Sequence, residues 1–275
     1  MKKFLVPTDF SEQAYNAVKA ATIIAKKSKA EIILLHILDL PQQGSDSINR
    51  GTPIPEVMFF KNAADKKLEE LANSAIFEGI PVSTSLILDR TSLGVTKSAE
   101  NNEVDLIVMG SHGASGVKEY FVGSNTEKVV RNSDIPVLVI KGEVDKFEIK
   151  DFVFASDFSD GMKDSFKKAL KFNKLLGANF HLLMVNTPNN FKPTHVAEEI
   201  LDEFLQDTTK EEYDLSIYND MNIEKGIINF SKKIDADLIG IATHGRTGLA
   251  HFFNGSISED LVNHSPTSVI TFKID

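Results

Sequence analysis

The chain has 275 residues, 42% hydrophobic and 25% charged, with 30 basic against 39 acidic side chains, a formal charge of −9 and no cysteine. These proportions belong to a globular chain with a packed core and exclude collagen-like, low-complexity and disordered classes; the missing thiols exclude disulfides, zinc-thiolate centres, iron–sulfur clusters and cysteine nucleophiles. The negative charge argues against nucleic acid or anionic membrane as a partner and leaves only a local pocket for an anionic ligand.

No apolar run approaches the roughly 20 residues of a bilayer crossing. The richest, Ile32 to Leu38, is interrupted by His36 and stops at Asp39. The start reaches Pro7 and Asp9 before an apolar signal region develops, so a cytoplasmic location is expected.

In chain order, short apolar runs predict strands at Phe4–Thr8, Glu31–Leu38, Val82–Leu88, Asp105–Met109 and Pro136–Ile140. Between them, Ala14, Ala17, Val18, Ala21 and Ala25, then Ala64, Leu68, Leu71 and Ala75, recur at helical spacing. Pro41 to Phe60, with its Gln-Gln-Gly-Ser run and prolines, reads as a long loop. The alternation βαβαβαβαβ predicts a parallel sheet with helices on both faces.

This pattern occurs twice. Phe4 to Glu12 ends an apolar run in Asp9-Phe10-Ser11, and 148 positions later Phe152 to Asp160 ends one in Asp157-Phe158-Ser159. Asp105 to Gly113 is echoed by Asp237 to Gly245 at an offset of 132, so the second copy is shorter after its second strand. Each copy exceeds about 100 residues, enough for its own core. Two domains are expected, residues 1–142 and 149–275, joined through the charged connector from Gly142 to Lys150.

The chemistry-bearing stretch is Gly110-Ser111-His112-Gly113, nine residues, then Gly123-Ser124. It follows a strand and opens a helix, where backbone amides and the positive helix end suit a phosphate chain. Neither G-x-x-x-x-G-K-[ST] nor a strand-end G-x-G-x-x-G is present, so the usual nucleotide hydrolase and dehydrogenase fingerprints are absent.

The pattern G-x2-G-x9-G-[ST], behind a first strand ending Pro7-Thr8-Asp9-Phe10-Ser11 and before a closing Pro136 to Ile140 strand, resembles the universal stress protein family, and the two copies resemble its tandem-domain members. The resemblance implies two doubly wound α/β domains, each a five-stranded parallel sheet of order 3-2-1-4-5, similar to the Rossmann-like adenine nucleotide alpha hydrolases. It implies a stress-response sensor or regulator that binds ATP or a related adenine nucleotide, with or without Mg²⁺. Carried over by position, Pro7, Thr8 and Asp9 lie against adenosine, Ile37 contacts the adenine through its backbone, Gly110 and Gly113 leave room for sugar and phosphates with Met109 and His112 beside them, and Gly123, Ser124, Asn125 and Thr126 cradle the phosphates. The second copy offers Asp157, Val185, Ala242, Gly245, Gly255, Ser256, Ile257 and Ser258, with Ala242 replacing the first glycine. The resemblance also implies pairing of the two domains within the chain, and it leaves association of two chains open. The fifth strands are sheet edges that need cover, so pairing there is physically reasonable.

Simpler roles compete. Ser124 with Glu127 and Ser256 with Glu259 each spell a capping box, and Asp9 and Asp157 stand where helix caps do, with Ser11 and Ser159 also available as caps. His36 reads as a satisfied core histidine. His112 and His244 lack the serine, acid or metal spacing of a catalytic histidine. Two other functional classes stay open, a slow ATP hydrolase and a nucleotide-independent interaction scaffold.

Overall fold

A computed structural model of the chain describes residues 1–39, 55–111, 122–144, 147–206, 213–244 and 255–274. The first half runs β1 (Lys3–Pro7), α1 (Glu12–Ser28), β2 (Glu31–Leu38), α2 (Pro55–Ala72), β3 (Val82–Leu88), α3 (Thr91–Asn101), β4 (Leu106–Gly110), α4 (Ser124–Asn132) and β5 (Val137–Ile140). The second runs β6 (Asp151–Ala155), α5 (Lys163–Leu176), β7 (Asn179–Asn186), α6 (Thr194–Phe204), β8 (Asp214–Asn219), α7 (Ile223–Lys233), β9 (Leu238–His244), α8 (Gly255–His264) and β10 (Ser268–Ile274). Strands β2 and β3 start and stop where the sequence places them; β1 and β4 shift by one residue. The expected loop from Pro41 to Phe60 is corrected at its end, since helix α2 already begins at Pro55. A proline suits the first helical turn, where its missing N–H is no loss. The rest of that stretch lies outside the described residues.

Each half is parallel with order 3-2-1-4-5, and the two are welded into one ten-stranded sheet, β3-β2-β1-β4-β5-β10-β9-β6-β7-β8. The seam is antiparallel, with Val139 opposite Val269, Leu138 opposite Ile270 and Val137 opposite Thr271. Both fifth strands thereby lose their open edges, the liability noted for them.

The central strands are buried on both faces, which is why they read as unbroken apolar runs rather than alternating ones. One core, containing Phe4, Val6, Leu34, Leu68, Phe154, Phe172 and Phe272, lies under α1, α2, α5 and α6. The other, containing Leu5, Leu35, Val95, Val129, Val153, Ile227 and Leu261, lies under α3, α4, α7 and α8. Both cores cross the seam. Polar ties add to it: Lys27 Nζ donates to the Leu176 carbonyl at 2.8 Å, the Lys141 amide to Ser268 Oγ at 3.1 Å, and Lys273 pairs with Asp134.

Candidate functional site

Beyond the carboxyl end of the sheet, between β1 and β4, lies a cavity of about 370 Å³ lined by Pro7, Thr8, Asp9, Ala14, Leu35, Ile37, Thr91, Met109, Gly110, Gly123, Ser124, Asn125 and Thr126. This is the crevice where strand order reverses, the expected ligand position in an open α/β sheet. Ten of the thirteen lining residues are ones the sequence singles out. Expected members His112 and Gly113 lie outside the described residues.

The floor is the turn from β1 into α1. Thr8 Oγ1 accepts the Phe10 amide at 3.0 Å, Asp9 Oδ1 accepts the Ser11 amide at 3.0 Å, and Ser11 Oγ caps α1 by accepting the Ala14 amide at 3.2 Å. These bonds hold Phe10 at φ 65°, a conformation that a residue with a Cβ adopts at a cost of roughly 1 kcal/mol. The capping role expected for Asp9 therefore falls to Ser11, while the Asp9 carboxylate closes the turn at the rim. His36 fits the core role, with Nδ1 2.7 Å from the Thr8 carbonyl and its ring 4.7 Å from that of Phe10.

Gly110 has a packing reason to be glycine besides its place on the cavity wall. A Cβ there would stand 2.6 Å from the Gln13 carbonyl oxygen and 3.1 Å from the Ala14 amide nitrogen. The missing side chain lets the first turn of α1 lie against β4, and Gly110 also lines the cavity.

At the other wall, α4 starts at Ser124 with Gly123 as its N-cap and no side-chain capping bond. The capping box is thus not formed: Ser124 is already inside the helix and Glu127 reaches forward to Arg131, 3.6 Å away. The first-turn amides, which have no partner within a helix, open toward the cavity beside the exposed Ser124 and Asn125. Thr126 is buried, its hydroxyl donating to the Gly110 carbonyl at 3.1 Å, which ties the helix start to the end of β4. Donor amides and a positive helix end on one wall, an apolar Leu35 and Ile37 surface on another, and one carboxylate at the rim suit a ligand with phosphates at one end and a flat base at the other.

The matching crevice of the second half differs. Asp157 repeats the turn, with Oδ1 accepting the Ser159 amide at 3.0 Å and Phe158 at φ 55°. Its cavity, lined by Asp157, Val185, Asn190, Lys192, Ile223 and Ile227 among others, measures about 30 Å³, room for about two waters. The connector after β7 forms part of that cavity's wall, pinned by Asn186, whose Oδ1 accepts the Lys192 amide at 2.8 Å and whose amide donates to the Lys192 carbonyl at 2.9 Å. Ala242 is buried in β9. Gly245 lies outside the described residues. Gly255 and Ser256 begin α8, Ile257 packs on the second core, and Ser258 is half-buried. Both oxygens of Glu259 hold Arg131 of the first half.

Ala14, Leu35 and Thr91 line the larger cavity without having been singled out. Thr91 had a readable signal, because the 132-residue offset sets it against Ile223, a polar residue against an apolar one. Among the described residues no group of three or more His, Asp or Glu side chains is arranged to hold a metal ion, and no helix is long and apolar enough to cross a membrane.

A tandem pair of doubly wound α/β domains joined edge to edge, with a ligand-sized crevice at the switch point of the first, defines the class of protein. The model of the universal stress protein family matches residues 1–141 and again 148–273. The chain belongs to that family. Over about half its length it is 35% identical to a universal stress protein of Methanocaldococcus jannaschii, covering 94% of that protein, and 30% identical to the universal stress protein YxiE of Bacillus subtilis, covering 98%. In fold it is similar along its whole length to a universal stress protein structure from Archaeoglobus fulgidus, with a TM-score of 0.74 at 24% identity, covering 99% of this chain and 98% of that one.

Proposed function

We propose that this tandem universal stress protein binds ATP or a related adenine nucleotide in its first half, one molecule per chain, and acts as a cytoplasmic stress-response sensor or regulator. The observation that carries the reading is the cavity of about 370 Å³ that joins Asp9 and Ile37 to the start of α4. Phosphates fit the α4 amides and the Ser124 and Asn125 side chains, the ribose fits beside Asp9, and the base fits against Ile37. On the side of the second crevice lined by Asp157, Val185 and Ile223 the cavity is about 30 Å³, too small for a base, which supports occupancy of the first half. Asp9 is the only carboxylate among the described lining residues, which supports binding over turnover, since a hydrolase needs a placed base or metal-holding acids.

Calorimetric titration of ATP into nucleotide-free protein tests the reading. One site per chain is expected, and it weakens at least tenfold when Asn125 and Ser124 are both changed to Ala. No heat at millimolar ATP would sink it.

A further inference from the structure

The seam closes the edges of β5 and β10 and leaves β3 and β8 as the outer strands of the sheet among the described residues. An open edge is a row of unpaired backbone groups, and proteins blunt it with lysine, proline or a bulge. Strand β3, Val-Ser-Thr-Ser-Leu-Ile-Leu, has no charge and no proline, and its register with β2 runs unbroken from Val82 to Leu88. Ser83, Thr84 and Leu88 are exposed.

The Pro81 carbonyl accepts the Ile32 amide at 2.9 Å. Along a strand, alternate residues turn their backbone groups to the same side, so Ser83, Ser85 and Ile87 bond to β2 while Val82, Thr84, Leu86 and Leu88 present N–H and C=O outward. A second copy related by a two-fold axis meets this edge antiparallel, with the same patch on both sides. Centring the pair on Ser85 sets Val82 opposite Leu88 and Thr84 opposite Leu86, so all four outward residues find outward partners and exchange both bonds. The same centring brings Arg90, exposed at the start of α3, opposite Ile80 and two residues from the exposed Glu78. Symmetry makes that contact of opposite charges twice.

Strand β8 is the contrast. The Asp220 amide donates to the Asn186 carbonyl at 3.1 Å, so Leu215, Ile217 and Asn219 face outward. The centring that pairs all three, on Ile217, sets Asp214 opposite Asp220, and like charges directly opposite each other repel.

We propose that β3 is a docking edge for a second copy of this chain, the two strands pairing antiparallel about Ser85 with Arg90 of each copy against Glu78 of the other. Sedimentation of the full chain across a range of concentrations tests it, and a reversible dimer is expected. Thr84→Pro removes an outward N–H and no bond to β2, so it should melt like the unaltered chain and sediment as a monomer. Arg90→Glu sets acid against acid and should weaken the dimer about tenfold, and Glu78→Arg added to it should restore the affinity. These two exposed positions decide the matter even where Thr84→Pro unfolds. A chain monomeric at millimolar concentration, its edge then left to an extended segment of another protein, overturns the assignment. So does a dimer that folded Thr84→Pro leaves intact, or one whose affinity ignores the charge reversal.

Discussion

Gly110 and Gln13 meet so closely that a single added methyl would not fit: a Cβ on residue 110 would stand 2.6 Å from the Gln13 carbonyl oxygen. The contact holds the first turn of α1 against the end of β4, two elements that both border the cavity. Backbone cannot swing aside as a flexible side chain can, so Gly110→Ala must push α1 off the sheet. A loss of about 1–3 kcal/mol is expected, measured by denaturant unfolding. Ala242→Gly at the matching position should cost about 1–2 kcal/mol, through backbone entropy and the loss of a buried methyl.

Thr126 joins α4 to β4 through its buried bond to the Gly110 carbonyl. Thr126→Val keeps the shape and removes the bond, so stability should fall by about 1–2 kcal/mol, while Thr126→Ser should retain most of it. Thermal unfolding of the three proteins checks this, and equal melting temperatures would refute it.

Arg131 and Glu259 connect the two halves on the helical layer, as β5 and β10 do in the sheet. Arg131 is about half exposed, with 56% of its side-chain surface open to solvent, so salt screens the pair. Glu259→Gln is expected to cost roughly 0.5–1 kcal/mol at low salt and less at 1 M salt. The coupling energy of an Arg131→Ala, Glu259→Ala double-mutant cycle should shrink in the same way; a salt-independent coupling would contradict the ion pair.

Lys141 follows β5 at the seam, with its Nζ buried and without a hydrogen-bond partner among the described residues. Its pseudo-symmetric counterpart Lys273 pairs with Asp134, but the residue matching Asp134 in the second half is Pro266, which offers no charge. Burial pulls the Lys141 amine down from the usual 10.5 to about 8. Because the folded state binds this proton less tightly than the unfolded one, the penalty is fully present below pH 8 and is relieved as pH rises from about 8 to 10.5. Lys141→Met should therefore raise stability at pH 7 by on the order of 2 kcal/mol and flatten the rise between pH 8 and 10.5. Denaturant midpoints measured across that range decide it.

The sequence by itself determined the two copies and the parallel βα alternation within each, while the strand order, and with it the end of the sheet that holds the cavity, came from the family resemblance. Unbroken apolar strands, helical periodicity and the recurring Asp-Phe-Ser and glycine segments are local signals, and chain handedness makes their alternation a parallel sheet. Which atoms those signature residues touch was decided only in three dimensions. Gly110 proved to pack under α1 as well as line the cavity, Ser124 sits one residue past the cap, Glu259 serves Arg131 of the other half, and Asn186 pins a connector into the wall of the second crevice. Each of these depends on contacts between segments distant in the chain, where steric fit and desolvation act on pairs that no spacing pattern records. Thr91 lies between the two cases: its contrast with Ile223 was legible, but its place on the cavity wall follows from how closely Gly94 lets α3 approach Ile37.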